Sequence, residues 1–184
     1  MTSSLRALLL SVMLIASPSV LAASMCAIAP PQITDTSQGE DKGFAAKVLA
    51  TTDADWEEKW NTPPETAPHF TSAEEIGMEE KVSILVFFIN PGQDASGQSI
   101  LQCDVKVFGP ENEVALDKKG IECFRGKLPG DERYVYLSPM VLQVVPEPQD
   151  KPGLNRIEIT VHDQVRDAKV ELKTQWTRVL PPAN

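Results

Sequence analysis

Several segments of the chain alternate apolar and polar positions with period two. An eight-residue run, Val82-Ser83-Ile84-Leu85-Val86-Phe87-Phe88-Ile89, departs from that rule. It carries one polar side chain and is β-branched or aromatic at most positions, so it reads as a central strand. Val82, Ile84, Val86 and Phe88 are apolar on one face, and Leu85, Phe87 and Ile89 on the other. A strand with one wet face needs only one apolar side, so something must cover the second. Ile100 to Phe108 alternates and predicts a neighbouring strand. Ile157, Ile159 and Val161 alternate with Glu158, Thr160 and His162; after Asp163 to Asp167, Val170, Leu172, Thr174 and Trp176 share a face. That pattern predicts an antiparallel hairpin with its inner face on a core and its charged face in water.

Phe44 to Thr51 predicts a first strand. Tyr134 to Leu137 and Met140 to Val145 predict two more, interrupted by Ser138-Pro139, which favours an edge or a kink. Asn90-Pro91-Gly92, Ser96-Gly97, Gly109-Pro110 and Leu128-Pro129-Gly130-Asp131 punctuate the strands at short spacing, as in an all-β sandwich or barrel. The expectation is a mostly β fold, an antiparallel β-sandwich occupying residues 44–180 as one domain. A Pro-, Ser-, Gln- and Asp-containing stretch before Phe44 predicts a flexible lead-in over 23–43.

One helix interrupts the β pattern, within a helical and Pro-rich segment at 53–70. Thr52 is placed to cap it, Asp55 completes an approximate capping box, and Asp53, Asp55, Glu57 and Glu58 suit its positive end. Pro63 disfavours helical geometry at Thr62, which predicts about two turns. Trp56 and Trp60, four apart, share a face of that helix. Two readings follow. The pair packs across the outer face of the Val82–Ile89 strand, for which it is the nearest cover; or Trp56, Trp60, His69 and Phe70, with Pro63, Pro64 and Pro68, form an exposed recognition patch.

Residues 1–22 change the picture of where the protein works. Arg6, the apolar stretch Ala7 to Ala16, Pro18 and the small-residue ending Val20-Leu21-Ala22 form the pattern of a secretory signal peptide, too short in its apolar core to span a bilayer permanently. Export to the periplasm or beyond, as a soluble protein, is the expectation. Cys103 and Cys123 lie in apolar-patterned segments of an exported chain and are expected to pair; in the chain-entropy model the bond contributes about 3 kcal/mol. A tight turn at Gly109-Pro110-Glu111-Asn112 places Cys103 opposite a residue near 118, so the return strand needs extra residues, and Lys118-Lys119-Gly120 is the place for a bulge. Cys26 is left over. A free thiol or an intermolecular bridge suits it better than lipidation, because Ala23-Ser24-Met25 is a poor lipoprotein site.

The net charge is −9, and one unit more negative once Arg6 leaves with the leader. Phosphate-backbone binding relies on Lys and Arg, so nucleic acid is not expected as a partner. Catalytic chemistry finds little to stand on. The two histidines are His69 in a Pro-rich loop and His162 on a polar strand face, with His162-Asp163 reading as a solvated strand end. No nucleophile elbow or phosphate loop is present, and two distant histidines do not make a zinc site. Asp53, Asp55, Glu57 and Glu58 lack the glycine turn and spacing of a calcium loop.

Pro152-Gly153, the alternating strand after it, the turn at Asp163 and the last strand resemble the closing hairpin of bacterial immunoglobulin-like sandwich domains, and Lys81 to Phe108 resembles their central strands. Trp60 to Thr66 and Glu122 to Gly126 resemble segments of small uncharacterised exported proteins of Gram-negative bacteria. The resemblance implies an immunoglobulin-like sandwich and no particular activity. A non-enzymatic binding or interaction module without cofactor is the expected function, with a periplasmic or extracellular protein as the expected partner. The alternative is a small hydrolase or metal-binding protein built from scattered acids.

Overall fold

The computed structural model describes residues 36–62, 68–147 and 149–180. The leader at 1–22, Cys26, Pro63 and Pro64 lie outside the described residues. The described elements are β1 (Gln38–Asp41), β2 (Phe44–Thr51), α1 (Trp56–Trp60), β3 (Glu75–Gly77), β4 (Val82–Ile89), β5 (Ser99–Phe108), β6 (Val114–Gly126), β7 (Tyr136–Leu137), β8 (Leu142–Val144), β9 (Gly153–Asp163) and β10 (Ala168–Val179). They form a mostly β structure of two sheets. The first has the order β1-β2-β4-β7, with β8 also on β4; the second has the order β3-β10-β9-β5-β6.

The period-two pattern is the cause of the layering. Phe44, Ala46, Val48 and Ala50 of β2 and Val82, Ile84, Val86 and Phe88 of β4 turn into one core with Leu101, Cys103, Val105 and Val107 of β5. Ile157, Ile159 and Val161 of β9 and Val170, Leu172 and Trp176 of β10 complete it. The closing hairpin forms as its alternation predicts, with Val161 opposite Val170 and Ile159 opposite Leu172. Thr174 is half-buried there.

Cys103 and Cys123 are joined, with 5.8 Å between their Cα atoms. The β5–β6 pair accommodates them with register shifts at three places, at Leu101/Gln102, Cys103/Val105 and Val107/Phe108. The middle one is the expected bulge: Val105 pairs with Lys118 and Cys103 with Ile121, and Gly120 supplies a φ of 64°. A non-reduced digest analysed by mass spectrometry is expected to contain the Cys103–Cys123 peptide pair; Cys26 joined to either partner is the result against it.

Four expectations are corrected. Gln38–Asp41, inside the supposed lead-in at 23–43, is a strand, because Lys42 and Gly43 both adopt positive φ (51° and 80°) and close a two-residue hairpin that pairs Asp41 with Phe44. Strand β1 also reaches the second sheet, since Lys173 N donates to the Thr36 carbonyl (2.9 Å) and Lys169 N to Asp41 Oδ2 (2.9 Å). The sandwich is not purely antiparallel, because β3 runs parallel to β10, with Arg178 opposite Ile76.

Helix α1 is shorter than two full turns and starts later than a Thr52 cap implies. Asp55 occupies the N-cap position without a side-chain capping bond and pairs instead with Lys59 (3.2 Å), while Asp53 accepts Thr71 N (2.9 Å) and also pairs with Lys59 (2.9 Å). Asp163, finally, is not a solvated strand end. Its carboxylate is fully buried and accepts Gly92 N (2.5 Å), Val165 N (3.0 Å) and Arg166 N (2.9 Å), tying the loop after β4 to the β9–β10 turn.

Sheet edges are all short or irregular. Strand β1 has four residues, β6 carries its register shifts, and the edge beyond β4 is broken between β7 and β8 at Ser138-Pro139, as the proline predicts. Ser138 turns inward there and donates its hydroxyl to the Cys123 carbonyl (2.7 Å). Among the described residues, no helix is long and apolar enough to cross a membrane.

Candidate functional site

The outer face of the first sheet is set by register. Across β1, β2, β4 and β7, Gln38, Lys47, Phe87 and Leu137 stand opposite one another in one row. Glu40, Ala45 and Ile89 form the next row, and Leu49 stands opposite Leu85 on the other side. Directly paired residues of antiparallel strands point to the same face, so these side chains share the face that the core does not use.

Part of that face is covered. The Trp60 ring lies 5.4 Å from the Phe87 ring, and the Phe70 ring 5.9 Å from it on another side, both tilted. Tilted rings at this separation are favourable contacts beyond the area they bury. Beneath them Phe87 is 9% exposed and Leu85 wholly buried. Trp60, which is half-buried, thus meets the outer side of β4, whereas Trp56, also half-buried, is in none of the described ring pairs. Phe70 takes the place expected of Trp56.

The cover stops short of the whole face. Ala45, Leu49 and Ile89 remain half-buried, and beside them opens a groove of about 810 Å³. Trp60, Pro68, His69 and Phe70 line one part of it, and Gln38 and Glu40 of β1 another. Of the four residues read as a patch, the structure brings together Trp60, His69 and Phe70 and leaves Trp56 outside the lining. Both readings of the tryptophan segment thus meet at one place: the rings that cover β4 are also a wall of the groove. Its volume and its mostly apolar walls fall within the range of small-molecule pockets.

Lys47 and Glu40 are the charged lining residues that sequence reasoning missed. Each is the polar member of a short alternating strand, and nothing local distinguishes it from a solvated side chain. Lys42, Lys59, Lys106, Lys151, Lys169 and Lys173 each have an ion-pair partner. Lys47, exposed on the sheet, has none among the described residues, and neither do Lys81, Lys118, Lys119 and Lys127; of these five Lys47 alone lines the groove.

The other candidates belong to the protein's own electrostatics. His162 Nε2 lies 3.3 Å from Asp104 Oδ2 on the charged face of the second sheet. The Gly120 N–H, with His162 adding to it, holds the Asp104 carboxyl below its ordinary value against the upward push of burial. At the start of α1, burial pushes the Asp53 carboxyl up, but the Lys59 ammonium and the Thr71 N–H outweigh it and hold it lower. Glu74, Glu75 and Glu80 border a second cleft of about 760 Å³ with Thr71 and Ser72. Among the described residues, no group of three or more His, Cys, Asp or Glu is placed to hold a metal ion.

No family model and no curated protein matches the chain. Several solved structures are similar to it in part. A family 123 glycoside hydrolase from Clostridium perfringens superposes with a TM-score of 0.41 at 6% identity, over 74% of this chain and 28% of the hydrolase. A Niemann-Pick type C2 protein from Japanese carpenter ant gives 0.34 at 9% identity, over 72% and 89% of the two chains. A protein described as ApaA from Bordetella pertussis gives 0.33 at 13%, over 76% and 95%. Similarity at this level assigns neither activity nor ligand.

Proposed function

We propose that this chain is an exported, non-enzymatic binding protein whose ligand site is the groove on the outer face of the first sheet. One observation carries the reading: β4 is apolar on both faces, and while one face fills the core, the ring cover over the other leaves Ala45, Leu49 and Ile89 beside an open, aromatic-walled groove. An immunoglobulin-type sandwich suits this role. The order β2-β4-β8 parallels strands A, B and E of such domains, and β10-β9-β5-β6 parallels G, F, C and C′. The disulfide supports an oxidising compartment, in agreement with the leader pattern at 1–22.

Blunted sheet edges argue against strand addition as the binding mode, which moves the reading from a protein partner to a ligand held on a face. The test is a groove-filling variant. Ala45→Trp is expected to abolish uptake of the neutral fluorophore N-phenyl-1-naphthylamine while changing stability by less than about 1 kcal/mol, as at other partly exposed positions. Unchanged uptake by Ala45→Trp would overturn the assignment.

A further inference from the structure

We propose that the ligands of this groove are single-chain apolar carboxylates, with the Lys47 ammonium holding the acid head; the proposal rests on the groove being the binding site. Lys47 sits on β2 directly opposite Phe87, the residue at the centre of the ring cluster. Its same-face neighbours along the strand are Ala45 and Leu49, so the charge stands within an apolar floor. A carboxylate anchored at Lys47 leaves its tail on Leu49 and Phe87 and against the edges of Trp60 and Phe70. Lys47 stands midway along β2 between Ala45 and Leu49, so a tail has roughly 7 Å of strand floor towards Leu49 and continues across the sheet over Phe87 and the rings beside it.

Glu40 is the competing charge. It lies on β1 opposite Ala45, in the row that ends at Ile89 and contains no ring. A ligand with a cationic head held there would lay its tail away from the aromatic wall and bring its charge towards Lys47. The carboxylate orientation uses both the cation and the rings, whereas the ammonium orientation uses neither. Glu40, diagonal to Lys47 across the β1–β2 pair, opposes an anionic head, so the two residues predict opposite effects on one ligand.

Dodecanoate and dodecyltrimethylammonium, each below its micellar concentration, and dodecanol, below its solubility limit, are titrated into the full mature protein by calorimetry and tryptophan fluorescence. Dodecanoate is expected to bind about tenfold more tightly than dodecanol, the size of a charge-assisted contact at a partly solvated site. Lys47→Gln should remove that advantage. Glu40→Gln should tighten dodecanoate about threefold relative to dodecanol, and added salt should narrow the dodecanoate–dodecanol gap. Both positions are exposed, so both variants retain the fold. Equal or tighter binding of dodecanol or the ammonium, or no effect of Lys47→Gln, would overturn the carboxylate assignment and leave the apolar groove standing. Failure of all three ligands to bind would overturn both. Binding to anionic phosphatidylglycerol vesicles without saturable binding of dodecanoate would give the face to a membrane surface and also defeat the proposal.

Discussion

Asp163→Ala is expected to destabilise the protein by about 3 to 5 kcal/mol, because each buried N–H left without an acceptor costs about 1 to 3 kcal/mol and relaxation recovers part of the sum. Three N–H groups depend on that carboxylate, the buried Gly92 N and the part-buried Val165 N and Arg166 N. Gly92 cannot retreat from the loss by taking a larger side chain. A Cβ there would stand 2.6 Å from Arg166 N, so the two loops meet through bare backbone. Asp163→Asn separates hydrogen bonding from packing. It can keep the acceptor that serves Val165 and Arg166 but turns an amide donor towards Gly92 N, so its loss should be about half that of alanine. Urea denaturation of the two variants measures this; a loss below about 1 kcal/mol for alanine, or equal losses for both, contradicts it.

The second large effect is expected at Arg178. Its side chain is 2% exposed, and its Nη1 donates to the carbonyls of Met78 (3.2 Å) and Glu80 (3.1 Å), with Gly77 O at 3.5 Å. No carboxylate pairs with it among the described residues, and Nη2 is buried without a partner. Burial pushes the guanidinium below its ordinary pKa, with the more distant Asp150 and Glu80 acting against that. Alanine removes both the stem and the three-carbonyl clamp that holds the turn after β3, so Arg178→Ala should cost about 2 to 4 kcal/mol. Arg178→Met keeps the stem and removes a desolvated charge. Its cost should be under about 1 kcal/mol, because a buried charge without a counter-ion adds little that a thioether of similar length does not. Thermal melts of both variants decide; a methionine variant as damaged as alanine would mean that the charge itself sustains the turn.

These two residues also show where period-two reading was sufficient and was not applied far enough. Asp163 follows Ile157, Ile159 and Val161 on one face of β9, and Arg178 follows Trp176 on β10. The alternation that places the core also places them inside; their charge suggested otherwise. Alternation was enough for β5 and for the β9–β10 hairpin, and residue counting across the Gly109 turn was enough for the bulge at Lys118 to Gly120. The register shifts near Cys123 and at Ala115 could not be counted, since a bulge changes pairing without leaving a residue type behind. Strand β3 escaped because three residues held by main-chain pairing to β10 carry no periodicity. Phe70 and Trp56 exchanged places because aromatic spacing on a helix says which rings share a face, not which loop residue arrives there first.

The groove was only half legible. Trp60, His69 and Phe70 could be named from one segment, but Lys47, Glu40 and the half-covered Ile89 come together only through the register of three strands. No local pattern encodes that.

Strand β1 has a practical consequence for anyone dividing this protein into parts. Composition invites a cut at Phe44, and a fragment beginning there would keep every core residue of β2 and β4. It would lose Gln38 and Glu40 from the groove, the Thr36 and Asp41 contacts to β10, and the contact between Lys42 and Asp167. Gly39 would go too, a position so close to Val170 that a Cβ would approach its Cγ1 to 2.9 Å. Such a fragment would lack one bank of the channel and one set of ties between the two sheets, and a ligand's failure to bind it would say nothing about the intact molecule.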